Sequence, residues 1–101
     1  MFEKFCDFLC SNTKKFITVE INPPHGASIE PILADIKKSG VDKKVSGFTC
    51  TDNPLAKLKM SGVLSAIKVQ QEFQKPVIAT MSMRDRNKLS LQSTLLGAND
   101  F

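Results

Sequence analysis

The fold is indicated most clearly by residues 16–26, which read FITVEINPPHG. Residues 16–22 are rich in β-branched and aromatic side chains, which are typical of a β-strand. Pro23 and Pro24 lack the amide hydrogen that a strand inside a sheet must donate, so we expect the strand to end there. This stretch therefore predicts a strand over residues 16–22 that leads directly into a rigid loop.

The same pattern, a strand followed by a polar loop and an amphipathic helix, recurs twice further along the chain. The spacing of apolar residues predicts three such helices, over residues 28–40, 61–73 and about 88–97. Two more strands are predicted, over residues 45–50 and 77–82. Because strands and helices alternate, we expect an α/β fold with a parallel sheet. The chain is predicted to hold three strand–helix units over residues 16–101, preceded by a short N-terminal helix within residues 1–13.

Several residues are expected to begin or end these helices. Ser28 can cap the first of them, with Pro31 tolerated in its first turn, and Gly40 can end it. Asn87 is a natural cap for the last helix, and Gly97 fits its end.

Composition narrows the class of function. The net charge is only +4, the basic residues are scattered, and the chain has neither Trp nor Tyr, so nucleic-acid binding is not expected. The three cysteines form an odd set without further metal ligands beside them, so we predict reduced, small apolar residues and no metal site. The sequence has no apolar run of the ~20 residues that span a bilayer, which predicts a cytoplasmic protein without a membrane partner.

Polar residues follow each predicted strand, and parallel strands bring such loops to one end of the sheet. Glu20 lies near the end of the first strand, where a partly desolvated carboxyl group could act as a general acid or base, although it could also simply face solvent. Asp52-Asn53-Pro54 is good turn chemistry in its own right. Arg84 and Arg86 could pair with Asp85 or with the phosphates of a ligand. His25, a lone histidine in a loop, is more often incidental.

Three strings in this order resemble methylenetetrahydrofolate reductases. They are TVEINPPHG at 18–26, FTCTDNP at 48–54, and ATMSMRDRNKLSLQSTLLGAND at 79–100. They are similar to the ends of the family's first three strands, and the third string extends into the helix that follows. The resemblance implies a flavin-containing (β/α)₈ TIM barrel that reduces 5,10-methylenetetrahydrofolate to 5-methyltetrahydrofolate. FAD would be the cofactor, and NADH or NADPH would be the electron donor.

The resemblance also implies roles for individual residues. Glu20 matches the catalytic acid, which would also contact the folate, and Asn53 is a further candidate for the folate cavity. Thr80 stands where better-known members have a histidine that contacts the flavin. The positions that match the cofactor site are Thr49, Thr80, Ser82, Arg84, Asp85 and Asn87.

The chain would then be the amino-terminal portion of the barrel domain, with only three of its eight units, so we expect it to be inactive alone. An alternative of a different class is a non-catalytic α/β binding or self-assembly module derived from the barrel. Because unpaired strand edges recruit partners, such a module would form homo-oligomers.

Overall fold

The computed structural model describes residues 5–11 and 15–101, in which strands and helices alternate as predicted. The part of the predicted leading helix at residues 1–4 and 12–13 lies outside the described residues. The strands are β1 (Thr18–Ile21), β2 (Gly47–Cys50) and β3 (Val77–Ala79). The helices are α1 (Phe5–Ser11), α2 (Glu30–Ser39), α3 (Gly62–Phe73) and α4 (Lys88–Asn99). Single 3₁₀ turns at Val41–Lys43 and Pro54–Ala56 flank β2.

The sheet contains three parallel strands in the order β1-β2-β3, so neighbours in sequence are neighbours in space. Right-handed crossovers that step in one direction place their helices on the same face of a sheet. Accordingly, Leu33 and Ile36 of α2 join Ala66 and Val69 of α3 in one apolar core. The architecture is therefore α/β with the helices on one face, and the strands that the structure describes do not close into a barrel.

The core lies between α2, α3 and the face of the sheet that they cover. Phe48 at its centre is fully buried, and its ring lies 5.3 Å from that of Phe73. Burying a side chain of this size stabilises the fold by about 1.5–3 kcal/mol. Within the part of the chain that the structure describes, no helix combines the length and the apolar character needed to cross a membrane.

Two predicted features at the ends of α2 differ in outcome. Gly40 ends the helix as predicted, with a left-handed φ of 74° and an amide that donates to the carbonyls of Ile36 and Lys37. The prediction that Ser28 caps the helix was wrong, because the helix begins one residue later and Ile29 occupies the cap position. The Ser28 hydroxyl instead accepts a hydrogen bond of 3.3 Å from the amide of Glu30.

The ends of α4 show the same contrast. Asn87 caps the helix as predicted, because its Oδ1 accepts a hydrogen bond of 2.8 Å from the amide of Ser90. Gly97 does not end the helix, which continues to Asn99. A glycine ends a helix by adopting a left-handed φ, and Gly97 is not among the residues that do so.

All three strands are shorter than predicted, and at the end of β3 the reason is its pairing. β3 ends at Ala79, and the amide of Thr80 makes a last hydrogen bond of 3.0 Å to the carbonyl of Cys50. Beyond this point the chain after β2 turns away, so residues 81–82 have no strand to pair with and belong to the loop.

Helix α1 contacts the amino-terminal end of the strands. Its Phe5 packs edge-on against Phe16, with ring centroids 4.3 Å apart. Gly47 leaves room for this arrangement, because a Cβ there would lie 3.3 Å from the ring of Phe16 and 2.4 Å from the carbonyl oxygen of Pro76. The polar loops emerge at the opposite end of the sheet.

Candidate functional site

The sheet face away from the helices carries the first group of predicted site residues. Glu20 pairs in register with Thr49, and Thr49 pairs with Ile78, so these three residues form one row across the strands. Their side chains share a face because paired residues of parallel strands point the same way. Thr80 lies two residues after Ile78, which places it on the same side of the chain. The structure therefore brings Glu20 and Thr49 together.

Glu20 itself differs from the expectation in its exposure. We expected a partly desolvated carboxyl group, but the side chain is exposed, because no described element covers this face of the sheet. Among residues 5–11 and 15–101, no side chain forms an ion pair or a hydrogen bond with it. Its carboxylate is thus open to an incoming group and is solvated in the chain as described.

The loops after the three strands meet at one end of the sheet, which confirms the prediction of convergence. The Thr51 hydroxyl lies 2.9 Å from the side-chain oxygen of Asn22, which joins the ends of β1 and β2. The amide of Met60 donates to the carbonyl of Pro24 over 2.8 Å, which joins the same two loops further out. The loops after β2 and β3 are joined by Asp52.

Asp52 and Arg86 form the most buried ion pair that the structure describes, and sequence reasoning missed it. The Arg86 Nη2 atom lies 2.9 Å from Asp52 Oδ2, and only 3% of the Asp52 side chain and 19% of the Arg86 side chain are exposed. The same carboxylate oxygen accepts a hydrogen bond of 2.8 Å from the amide of Ser82. A buried carboxylate needs such partners, so this pair fixes the β3 loop against the β2 loop.

A cleft of about 250 Å³ lies between these two loops and the start of α4. Four of the predicted site residues line it, namely Asn53, Ser82, Arg84 and Asp85. The other residues of its wall are Asp52, Arg86 and Ser90. Glu20, Thr49, Thr80 and Asn87 are not part of its lining. The predicted residues therefore form an open-face row and a loop cleft, and Asn87 lies apart from both as the cap of α4.

The polar residues of this loop cleft are partly used in holding its own walls. Arg84 Nε forms an exposed ion pair with Asp85 at 2.9 Å, as one of the predicted alternatives had it. Asn53 Oδ1 accepts a hydrogen bond of 2.8 Å from the amide of Lys59, which secures the turn after β2. The side chain of Asn87 is occupied as the cap of α4. Arg84 and the Ser82 hydroxyl remain the groups best suited to meet a ligand oxygen.

His25 is not isolated in its loop. Its Nδ1 lies 3.1 Å from the carbonyl oxygen of Leu58, so this nitrogen must carry the proton and donate. Its Nε2 then accepts from the Lys59 ammonium at 2.9 Å. This neutral tautomer ties the loop after β1 to the loop after β2, which is a structural task that the sequence did not suggest.

The cysteines separate into two environments. All three cysteines are free, as predicted for reduced residues, and Cys6 and Cys10 are exposed on α1 whereas Cys50 is buried. Burial raises the pKa of the Cys50 thiol to about 11. Within the described ranges, no group of three or more His, Cys, Asp or Glu residues could hold a metal ion.

This difference predicts how the thiols react. At neutral pH, Ellman's reagent should label Cys6 and Cys10 rapidly but reach Cys50 only after unfolding, because the reaction needs an accessible thiolate. The release of thionitrobenzoate gives the number of reactive thiols, measured in buffer for the folded protein and in guanidinium chloride for the unfolded protein. A Cys50→Ala variant should keep the native count and lose one thiol from the denatured count. Rapid labelling of a third thiol in the folded protein would contradict the burial of Cys50.

The chemistry of the two groups fits parts of a nucleotide-like ligand. A guanidinium and a hydroxyl facing a small cleft suit a phosphate, and the open-face row offers a carboxylate and hydroxyls to a planar ring. The cleft is smaller than the ~300–1,000 Å³ of ordinary cofactor sites, so it could hold one phosphate or one sugar rather than a complete dinucleotide.

Neither family models, nor curated proteins, nor solved structures gave a match when they were compared with this chain.

Proposed function

We propose that the chain forms the first three β/α units of a flavin-dependent (β/α)₈ barrel that reduces 5,10-methylenetetrahydrofolate to 5-methyltetrahydrofolate. The observation that carries this proposal is the row of Glu20 and Thr49 on the open face. A carboxylate there, beside the end where three polar loops meet, would be able to reach a ring bound on this face and act on it as an acid. Each of the three strings that resemble methylenetetrahydrofolate reductases includes the end of a strand at this same edge of the sheet.

The strand order supports the barrel part of the proposal. In doubly wound sheets the strand order reverses and helices cover both faces. Here the order is sequential and α2 and α3 share one face, which is the winding of a (β/α)₈ barrel. The face that carries Glu20 would then line the interior of the barrel, near the end where such barrels hold their active sites.

In this reaction Glu20 would donate a proton to the folate ring nitrogen that leaves when the five-membered ring opens. The flavin, when bound, supplies the hydride that then reaches the one-carbon unit. For its part, Glu20 must hold a proton at the reacting nitrogen, and enclosure by further elements would favour that protonated form. Thr49 and Thr80 would offer hydroxyls to the ring on the same face. Arg84 and Ser82 would bind a phosphate of the cofactor.

The test is a Glu20→Gln substitution in a fusion that joins this chain to units four to eight of a methylenetetrahydrofolate reductase, because the three units alone are expected to be inactive. We expect it to leave folding and flavin binding unchanged, because the side chain is exposed and unpaired among the described residues. It should slow the reoxidation of reduced FAD by 5,10-methylenetetrahydrofolate by about 10²–10⁴-fold, the usual contribution of a general acid. Flavin binding is read from fluorescence quenching, and reoxidation from the flavin absorbance.

Glu30→Gln is the matched control, because Glu30 is also exposed but lies on α2, 3.7 Å from Lys68 and away from the open face. This variant should behave as the unmodified fusion does. The proposal fails if the fusion binds no flavin, or if Glu20→Gln and Glu30→Gln give the same reoxidation rate.

A second candidate is a non-catalytic α/β module that binds or assembles through its sheet. It is favoured by the outer edges of β1 and β3, which pair with no other strand in the described part of the chain. An absorption spectrum separates the two, because a yellow protein supports the reductase and a colourless oligomer supports the module.

A further inference from the structure

Asn22 extends the polar face of the sheet one step beyond Glu20. The amide of Thr51 donates to the carbonyl of Ile21 over 3.2 Å, so the pairing of the first two strands continues past the end of β1. Ile21 is buried on the side of the helices, and successive residues of an extended chain alternate between the two faces. Asn22 therefore shares the open face with Glu20 and lies about 6.6 Å further towards the loops.

The backbone of Asn22 is fixed by the proline that follows it. A residue before proline is confined to extended conformations, because the proline ring clashes with it in the helical ones. Pro23 is also fully buried, which holds this point of the chain in place. The side chain of Asn22 is exposed. Its position on the open face is thus set before any ligand binds, as an effective binding residue requires.

The hydroxyl of Thr51 decides which end of the Asn22 amide is left for a ligand. Thr51 Oγ1 donates to Asn22 Oδ1 over 2.9 Å. A side-chain amide has one oxygen that accepts and one nitrogen that donates two hydrogen bonds. Because Thr51 holds the oxygen, the nitrogen Nδ2 is the atom left to meet a ligand, and no group in the described part of the chain accepts a hydrogen bond from it. Asn22 therefore offers donors, whereas Glu20 offers a carboxyl group.

We propose that Asn22 binds the ring carbonyl of the folate substrate and that Thr51 positions Asn22 for this contact. The inference rests on the proposed reductase function, which puts the folate ring beside Glu20. The reduced pteridine ring of folate carries one carbonyl oxygen, which accepts hydrogen bonds, together with amino and ring N–H groups, which donate them. The two Nδ2 hydrogens of Asn22 match the carbonyl and none of the N–H groups. Asn22 thus determines specificity, and Thr51 acts through it.

The contact predicts discrimination against a ring that carries an amino group in place of the carbonyl. Two sets of donors would then face each other, and neither would have an acceptor. A polar group left without a partner in a closed site weakens binding about tenfold or more. The orientation of the Asn22 amide, rather than the mere presence of a polar residue, is what makes this distinction.

Asn22→Leu in the fusion described above tests the contact, because leucine keeps the shape of asparagine but can neither donate nor accept. We expect the KM for 5,10-methylenetetrahydrofolate to rise about ten- to hundredfold, because the ring carbonyl loses its partner. The kcat should stay the same, since the contact holds the ring equally in the ground state and the transition state. Flavin binding, read from fluorescence quenching, should also stay unchanged.

Thr51→Val tests the positioning role through a preference between two ligands. The preference is the ratio of the inhibition constants of tetrahydrofolate and its 4-amino analogue, in which an amino group replaces the ring carbonyl. The unmodified fusion should favour tetrahydrofolate by about tenfold or more. Thr51→Val should lose most of this preference, because the freed Asn22 amide can turn its oxygen towards the amino group. Thr18→Val is the matched control, because Thr18 lies on the same face two residues before Glu20, away from the loops, and it should keep the preference.

Two results would overturn the inference while the reductase proposal stands, provided that Glu20→Gln still slows flavin reoxidation. One is an unchanged KM in Asn22→Leu, and the other is the same ligand preference in Thr51→Val as in Thr18→Val. Weaker flavin binding by Asn22→Leu would also overturn it, since Asn22 would then contact the cofactor. A fusion that binds no flavin refutes the reductase proposal itself, and the role of Asn22 falls with it.

Discussion

Replacing Arg86 by alanine should destabilise the protein by about 3–5 kcal/mol, because it leaves the Asp52 carboxylate buried without its counter-charge. The pair joins the loops after β2 and β3, and only 3% of the Asp52 side chain is exposed to solvent. The remaining neutral donors, the amide of Ser82 at 2.8 Å and the Asn53 Nδ2 atom at 3.5 Å, do not replace the lost guanidinium charge. Urea unfolding followed by circular dichroism measures the change as a lower midpoint at an unchanged slope.

Arg84→Ala is the matched control for this prediction. Arg84 also forms an ion pair at 2.9 Å, but 54% of its side chain and 78% of that of Asp85 are exposed. Exposed pairs contribute about 0–1 kcal/mol, so this variant should unfold close to the midpoint of the unmodified protein. Equal losses for Arg84→Ala and Arg86→Ala would show that the burial of the Asp52 pair does not matter.

Phe48→Ala should cost about 3–5 kcal/mol, because it removes a fully buried ring and leaves a cavity. Phe48 is 0% exposed at the centre of the core and packs against Phe73. Domains of this size are stable by about 5–15 kcal/mol, so this substitution removes a large fraction of the free energy of unfolding. Thermal unfolding, followed by circular dichroism, should show a lower melting temperature.

Phe101→Ala is the matched control for Phe48→Ala, because it removes the same side chain at the surface. Phe101 is 65% exposed, and its hydrogen bond to Gln70 uses the backbone carbonyl, which alanine retains. The substitution should lower the free energy of unfolding by less than about 1 kcal/mol, as most surface substitutions do. A melting temperature for Phe48→Ala as high as that for Phe101→Ala would contradict the central place of Phe48 in the core.

The order of strands and helices could be predicted because it depends on local signals. Alternating β-branched residues, helical spacing and the caps at Gly40 and Asn87 each act within a few residues of the chain. Boundaries failed where tertiary pairing decides them, as at the end of β3, where the loss of a partner strand shortens the predicted element. The exposure of Glu20 also depends on which elements cover the sheet, and a strand pattern alone does not predict that.

The candidate site was predicted in part for the same reason. Parallel topology is enough to bring Glu20 and Thr49 together and to gather the three loops at one end. The pairing of Arg86 with Asp52 was not foreseen, because Asp85 adjoins Arg86 in sequence whereas Asp52 lies in another loop, 34 residues away. The pairing of β2 with β3 brings the loop that carries Asp52 next to the loop that carries Arg86.

The sequential strand order has a consequence for how the chain is made. Residue 18 pairs with residue 47 and residue 48 with residue 77, a spacing of 29 residues in both ladders. β2 and β3 therefore each find a partner strand already synthesised when they leave the ribosome, and neither has to insert between two earlier strands. The sheet can grow in the direction of translation, one unit at a time, with α2 and α3 covering the apolar side of the strands.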